Sequence, residues 1–299
     1  GADGAGSSRW NGMAINRWRE DPVVAGYGHW IYLADRRTKA LWSAKQAPFG
    51  GAPEEYGALF AEGRAEFHRR DGMLTTTTEV LVSPEDDAEV RRVSIANSGR
   101  ETHEVDVTSC VELALAPPAT DLAHPAFARM FVETEVLDGS ILIARRRPRG
   151  SDEAPIWAAH LAVLEGEAAG PLSWETDRSA FMGRGHSSEN PLGATRALEG
   201  HAGTVLDPLF ALRCPLKVPP GKTARVAFWT IAAPSREALL DAIDRHRDAA
   251  AFDRAHIGSW TQAQIERRFL GIDPGDAADF QRLAAYLVSP GGRFAPPAA

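Results

Sequence analysis

The sequence predicts a mainly β protein: a large antiparallel β-sandwich over residues 1–234, followed by a short α-helical linker over residues 235–299. Three observations predict it. Apolar and polar residues alternate in segment after segment from position 10 to position 233, the pattern of strands with one buried face. Turn-forming residues punctuate those segments. After Pro234 the apolar spacing changes from two to about 3.6 residues, that of a helix face.

In chain order, Trp10, Trp18 and Trp30 with Arg9, Arg17 and Arg19 have the residue types of a carbohydrate platform, although alternating aromatics on strands more often serve packing, which is the reading favoured here. Asp71-Gly72, Asn97-Ser98-Gly99, Asp138-Gly139 and Pro219-Pro220-Gly221 supply turn conformations and predict hairpins. Glu85, Asp86 and Asp87 after Ser83-Pro84 read as a solvated turn rather than a cation site or a catalytic pair. From His103 to Leu115 the alternation is clearest: Val105, Val107, Val111, Leu113 and Leu115 share one face, and Glu104, Asp106, Thr108 and Glu112 the other. Cys110 falls on that polar face, whereas Cys214 shares a face with Phe210, Leu212 and Leu216. Met130, Val132, Thr134 and Val136 alternate again, as do Trp157, Ala159, Leu161 and Val163, and then Val226 and Phe228 against Ala227, Trp229 and Ile231. His124 before Pro125 reads as a loop residue. Arg145-Arg146-Arg147 with Arg149 reads as a solvated strand end entering a turn.

The segment from Trp174 to His186, followed by Gly203 to Arg213, concentrates candidate binding chemistry between strands. Trp174 and Phe181 can stack on a sugar face, Arg178 and Arg184 can fork onto hydroxyls or carboxylates, and Gly183 and Gly185 let backbone approach closely. His186 and Asn190 join them as candidate substrate-binding residues on a Gly-, Ser-, Asn- and Pro-rich stretch running from Met182 to Thr204. The part from Met182 to Gly193 is expected to be solvent-exposed. The competing reading makes Asp177 and Arg178 an internal ion pair, Phe181 core, and the glycines simple turn residues.

Ser235 is a candidate N-cap ahead of Glu237, Leu239, Ala242 and Ile243, and Asp273-Pro274 with Asp276 opens another helix that carries Phe280, Leu283, Ala284 and Leu287 at helical spacing. The Pro290 to Pro297 tail reads as a frayed end.

With 299 residues, 44% of them hydrophobic, the chain has the length and apolar content of a large folded domain. A net charge of −7 and no broad Lys/Arg surface argue against a nucleic-acid partner. Two distant cysteines point to a reducing compartment, hence the cytoplasm. Neither a membrane-spanning apolar run nor a signal peptide is apparent. Nine histidines without metal-binding spacing give no support for zinc, and no cofactor is expected.

Several motifs in order resemble the amino-terminal β-sandwich region of glycoside hydrolase family 94, formerly glycosyltransferase family 36, and within it the module of bacterial cyclic β-1,2-glucan synthases. They are Ser8-Arg9-Trp10-Asn11-Gly12, Arg17-Trp18-Arg19-Glu20-Asp21, Ser83-Pro84-Glu85-Asp86-Asp87 with Glu89-Val90-Arg91-Arg92-Val93, Ala116-Pro117-Pro118 with Ala123-His124-Pro125-Ala126-Phe127, the Trp174–His186 and Gly203–Arg213 segments, Trp260-Thr261-Gln262-Ala263-Gln264, and Leu270-Gly271-Ile272. The resemblance implies a mutarotase-like supersandwich whose helical linker leads to an (α/α)6 barrel. It implies inverting phosphorolysis of a β-glucosidic bond, with phosphate attacking the anomeric carbon opposite a protonated carboxyl group. In that family the acid and the main phosphate-binding groups lie in the barrel, so no catalytic residue is expected here. The start at Gly1, a few residues into a family motif, suggests a piece of a larger polypeptide, and a parent synthase would place this module on the cytoplasmic side of a membrane.

The implied partners are a β-glucan oligosaccharide, the barrel of the same polypeptide and a possible homodimer, with no direct membrane insertion. The loop after Phe181-Met182-Gly183-Arg184 is the one expected to wall the sugar-binding cleft. Two other classes remain open: a free-standing carbohydrate-binding module, and a mutarotase-like enzyme, which would need a His/Glu acid–base pair of a kind not visible in the spacing.

Overall fold

The computed structural model describes residues 1–18, 28–48, 51–150 and 153–288. Arg19, Glu20 and Asp21 of the early motif and the Pro290–Pro297 tail lie outside them. Sixteen strands are assigned: β1 (Arg9–Trp10), β2 (Met13–Asn16), β3 (His29–Asp35), β4 (Leu41–Ser43), β5 (Glu55–Ala61), β6 (Arg64–Asp71), β7 (Leu74–Val82), β8 (Ala88–Asn97), β9 (His103–Ala116), β10 (Val132–Leu137), β11 (Ile141–Arg146), β12 (Ile156–Glu165), β13 (Glu167–Ala168), β14 (Ser173–Asp177), β15 (Pro208–Val218) and β16 (Thr223–Ala233). The helices are α1 (Pro118–Ala123), α2 (Pro125–Arg129), α3 (Arg178–Met182), α4 (Arg236–His246), α5 (Ala251–Leu270) and α6 (Pro274–Val288).

The strands form two antiparallel sheets, each eight-stranded. One runs β1-β2-β9-β15-β13, with β14 also on β15, β3 on β9 and β4 on β3; the other runs β10-β11-β12-β16-β8-β7-β6-β5. The main core lies between them. Val105, Val107, Val111, Leu113 and Leu115 of β9, with Phe210, Leu212, Cys214 and Leu216 of β15, meet Val93, Ile95, Leu142, Ala158, Val226 and Phe228 from the facing sheet. Alternation on β9 and β15 thus set the faces correctly.

Two further apolar clusters cover the outer faces of the sheets. Trp157, Ala159, Leu161, Val163, Ala227, Trp229 and Ile231 pack beneath Leu239, Ala242 and Ile243 of α4 and Ala251, Phe252 and Ala255 of α5. On the other side, Trp30, Tyr32, Cys110, Leu209 and Ala211 are covered by Phe181, Met182 and Ala194. Central strands are therefore buried on both faces, so Cys110, on the face expected to be polar, is as buried as Cys214. Trp30 is fully buried, in line with the packing reading, whereas Trp10 and Trp18 are half-buried.

Asp71-Gly72 and Asp138-Gly139 close the β6–β7 and β10–β11 hairpins; in the second, Asp138 and Gly139 both have positive φ, 51° and 70°, within a three-residue connection between the paired Leu137 and Ile141. The other two turns differ from expectation. Asn97-Ser98-Gly99 and Pro219-Pro220-Gly221 join strands in different sheets, β8 to β9 and β15 to β16. Asn97 binds both crossings, its Nδ2 donating to Val218 O at 2.9 Å while its carbonyl accepts from Gly221 N at 2.8 Å. Met130 also departs from expectation: it caps α2 and is exposed, and the strand starts at Val132. A proline at the first position of each of α1 and α2 starts a turn of helix in a stretch read from the sequence as loop. His124 is the junction between them.

At the carboxyl end, the Ser235 side chain accepts from Ala238 N at 3.1 Å, and Asp273 Oδ1 accepts from Gly275 N and Asp276 N at 2.7 and 2.9 Å. Both predicted caps are present. The acidic turn does more than face solvent: Asp86 pairs with Arg245 of α4 at 2.5 Å and lies 3.7 Å from His246, tying that helix to the sheet.

Candidate functional site

The candidate segment forms β14, α3 and the loop that follows. β14 pairs with β15 through a register shift between Glu175 and Asp177, and Asp177 Oδ1 then caps α3 by accepting from Ser179 N at 2.7 Å. The helix ends at Gly183, whose φ is 82° and where a Cβ would lie 2.5 Å from Leu192 Cδ1. Glycine is required there by both the backbone and the space.

The six sequence-predicted residues separate into three environments. Arg178 points inward: Nε donates to Glu112 Oε1 at 2.8 Å and Nη1 lies 4.0 Å from Asp207 Oδ2. Asp207 also pairs with Arg129 at 2.7 Å and lies 3.7 Å from Arg17, which binds Asp121 at 2.9 Å. An internal ion pair does form, but its acid is Glu112, since Asp177 is occupied as the cap. Burial raises the pKa of both Glu112 and Asp207, partly offset by the facing guanidinium groups. Phe181 is fully buried, its ring centroid 6.0 Å from that of Tyr32, so this ring offers no face to a sugar.

Arg184, His186 and Asn190 stand at the exposed loop tip. His186 Nδ1 is 2.8 Å from Asn190 O, and Asn190 Oδ1 accepts from Ser187 N at 3.0 Å. Tyr32 Oη donates to Ser188 O at 2.7 Å from beneath. The loop is thus not exposed throughout: Met182, Ser188, Pro191 and Gly193 are buried, and an anchored base presents a short polar tip. Trp174, half-buried on β14, packs its inner part against the main core and lies beneath Gly200.

Sequence spacing missed a His/Glu pair at this edge. His201 Nδ1 lies 2.9 Å from Glu175 Oε2; Glu175 is buried and its other oxygen accepts from Thr176 N and Asp177 N at 2.8 Å each. The hydrogen bond and charge of Glu175 raise the His201 pKa. The pair is separated by 26 positions and assembled only by the bulge in β14, so no local motif announces it. Both Glu175 oxygens are already engaged, which suits an orienting role better than proton transfer at a sugar carbon.

A second constellation is enclosed. Ser109 Oγ lies 2.9 Å from His29 Nε2 and 3.0 Å from His160 Nε2, while His29 Nδ1 is 3.8 Å from Glu89. Ser-His-Glu order is present, but all of Ser109 and nearly all of His29 are shut between the sheets. The Phe210 and Phe228 rings are stacked on His160 at 6.0 and 5.9 Å. Buried in this way, these residues pin the sheets together. The Arg run is likewise neutralised: Arg145 and Arg147 meet Glu133, and Arg149 meets Glu153.

Known proteins resemble this chain at two levels. The fold is loosely similar to a polysaccharide lyase, with 14% identity, 78% of this chain and 30% of that one covered, and a TM-score of 0.46. It is similarly close to a bacterial glucoamylase complexed with acarbose, at 8% identity, 86% and 34% coverage, and a TM-score of 0.45. In sequence, the cyclic β-(1,2)-glucan synthase NdvB of Rhizobium meliloti strain 1021 is 40% identical over 294 residues, which is 97% of this chain but 10% of that protein. The chain therefore spans about a tenth of the length of this curated relative. The profile described as glycosyl hydrolase 94, supersandwich domain, matches residues 1–249. With that match covering both sheets and α4, the chain belongs to the glycosyl hydrolase 94 supersandwich domain family.

Proposed function

We propose that this chain is a non-catalytic, carbohydrate-associated sandwich of a larger polypeptide that acts on β-glucan chains by glycosyl transfer or phosphorolysis with inversion. The observation that carries this reading is the 40% identity, sustained over nearly the whole chain, to a small part of a cyclic β-(1,2)-glucan synthase. On this reading a catalytic barrel follows in the same polypeptide, and the helical segment after residue 234 leads to it. Ile257, Trp260 and Phe269 of α5 and Phe280 and Leu283 of α6 are exposed apolar side chains suited to contact with that neighbour, or to dimer contacts. Among the described residues no helix is long and apolar enough to cross a membrane; the cytoplasm is the proposed location, on the inner face of a membrane if the parent is anchored there.

Of the candidate residues, Arg184, His186 and Asn190 are available to a glucan oligosaccharide at the loop tip, with the exposed part of Trp174 contributing on β14. Arg178 and Phe181 act one step removed, by holding α3 at the base of that loop. The experiment is Arg184→Ala in the full-length parent enzyme. Sugar affinity or turnover should fall while the melting temperature stays unchanged; full activity in that variant would overturn the role given to the loop.

A further inference from the structure

On the outer face of the other sheet, β10, β11 and β12 form a groove of about 450 Å3, walled on one side by Gly203 and Thr204 at the end of the Met182–Thr204 stretch. That is within the roughly 300–1,000 Å3 of small-molecule sites. The register sets Glu133, Arg145 and Trp157 side by side across three strands, with Glu135 beside Ile143 in the next row. Trp157 is the apolar part of the floor, half-buried against the cluster under α4 with the Arg145 guanidinium 5.6 Å from its ring centroid, and Ile143 is fully buried beneath. Backbone closes one side, because Gly203 bridges to β10 by two hydrogen bonds with Thr134, at 2.9 and 3.0 Å.

The polar walls are ordered in pairs. Arg145 donates to Glu133 Oε2 at 2.7 Å, and Arg147 braces the other oxygen of Glu133 at 3.0 Å. Across the groove, Arg236 at the start of α4 donates to Glu135 Oε1 at 2.9 Å. The lining thus carries two carboxylates and two guanidinium groups. Their compensation gives neither a phosphate nor a cation an advantage. What it provides is alternating acceptors and donors around an aromatic floor, the arrangement that suits a neutral polyol with one apolar face.

We infer that this groove is a second carbohydrate subsite, taking a glucosyl unit with its C–H face on Trp157 and its hydroxyls shared between the Glu133–Arg145 and Glu135–Arg236 pairs. The choice of a glucan as ligand rests on the proposed function; the choice of a neutral sugar rests on the lining. Because the groove lies on a different sheet from the loop tip, it would hold a stretch of chain remote from the reacting end, adding affinity without touching the chemistry.

The test is a titration of the 299-residue chain with a linear β-1,2-linked glucooligosaccharide, read by calorimetry and by the indole N–H resonance of Trp157 in 15N-labelled protein. Binding should move that resonance, and Trp157→Ala should weaken it by about tenfold or more. Glu135→Ala/Arg236→Ala, confined to exposed side chains, should do the same and decides the matter if Trp157→Ala fails to fold. Arg184→Ala should retain binding at the groove. The inference is overturned if the folded chain binds no glucan at millimolar sugar, or if the double variant binds undiminished with the Trp157 resonance stationary. Binding lost only in Arg184→Ala would overturn the groove and leave the loop reading standing. Binding lost only in the groove variants, with Arg184→Ala fully active in the parent, would do the reverse.

Discussion

Phe181 and Arg184 stand three positions apart and should respond oppositely to truncation. Phe181→Ala removes a fully buried ring that joins α3 to Tyr32 and should cost about 3–5 kcal/mol. Arg184→Ala removes an exposed side chain and should shift stability by about 0.5 kcal/mol or less. Chemical denaturation of the two variants would check the contrast, and similar midpoints would refute it. The buried histidines give a pH-dependent prediction. Burial, reinforced by the Arg91 charge, lowers the pKa of His160 to about 3 and that of His29 well below its ordinary value; the nearby Glu89 only partly opposes this. The fold therefore keeps both rings neutral while the unfolded chain takes up protons, so their contribution is intact above pH 6.5 and is lost progressively below it. Burial opposes the Glu89 charge too, but the Arg91 charge and the His29 imidazole outweigh it and hold its pKa well below the usual carboxylate range. Its own loss belongs to more acidic solution; between pH 6.5 and 4.5 the histidine contribution acts against Glu112 and Asp207, whose raised pKa values add stability as pH falls, and His160 is the group whose removal isolates it. Melting temperature should fall across that interval, and His160→Gln should flatten the fall while lowering stability at pH 7. An equally steep profile in the variant would argue against this account.

At the scale of elements, α4 shows how local chemistry and packing divide the work. Its start is fixed by Ser235, whose side chain satisfies Ala238 N, and Ser235→Ala should cost about 0.5–2 kcal/mol, measurable as a lower urea midpoint. Its position is fixed by Leu239, Ala242 and Ile243 over Trp229 and Ile231, and by Asp86 on Arg245. Helix α5 changes character along its length: Phe252 and Ala255 are buried, whereas Trp260, Ile265 and Phe269 are exposed. The first turns pack into the sandwich, and further along Ser259 donates to Gly63 O and Gln264 to Glu62 at the β5–β6 turn, each at 3.1 Å. The remainder presents the face assigned above to a neighbouring domain, and Phe269→Glu should leave the melting temperature of this chain unchanged while impairing assembly with that domain.

For the whole molecule, the change of period at Pro234 marks a change of secondary structure but falls inside one apolar cluster, shared by β12, β16, α4 and the first turns of α5. Truncation tests where the cooperative unit ends. A chain of residues 1–271 should melt at the temperature of the full chain, whereas residues 1–234 should melt lower and aggregate, because the outer face of one sheet loses its cover. Equal melting temperatures for both pieces would set the boundary at 234 after all.

The alternation on β9, β12, β15 and β16, the Asp138-Gly139 turn and the Ser235 cap were legible in the sequence because each depends on residues a few positions apart. Those local periods determined the strands, their inner faces and the switch to helix. They could not show that both faces of the central strands are covered, since the covers, Phe181 and Met182 on one side and α4 on the other, come from remote parts of the chain. For the same reason the partner of Arg178 is Glu112, 66 positions away, and His201 meets Glu175 across 26. The row of Glu133, Arg145 and Trp157 likewise exists only once three strands are in register. Residue types announced where strands and caps would form; the long-range pairing of two sheets, which no local pattern encodes, decided which side chains would be buried and which would remain at the surface.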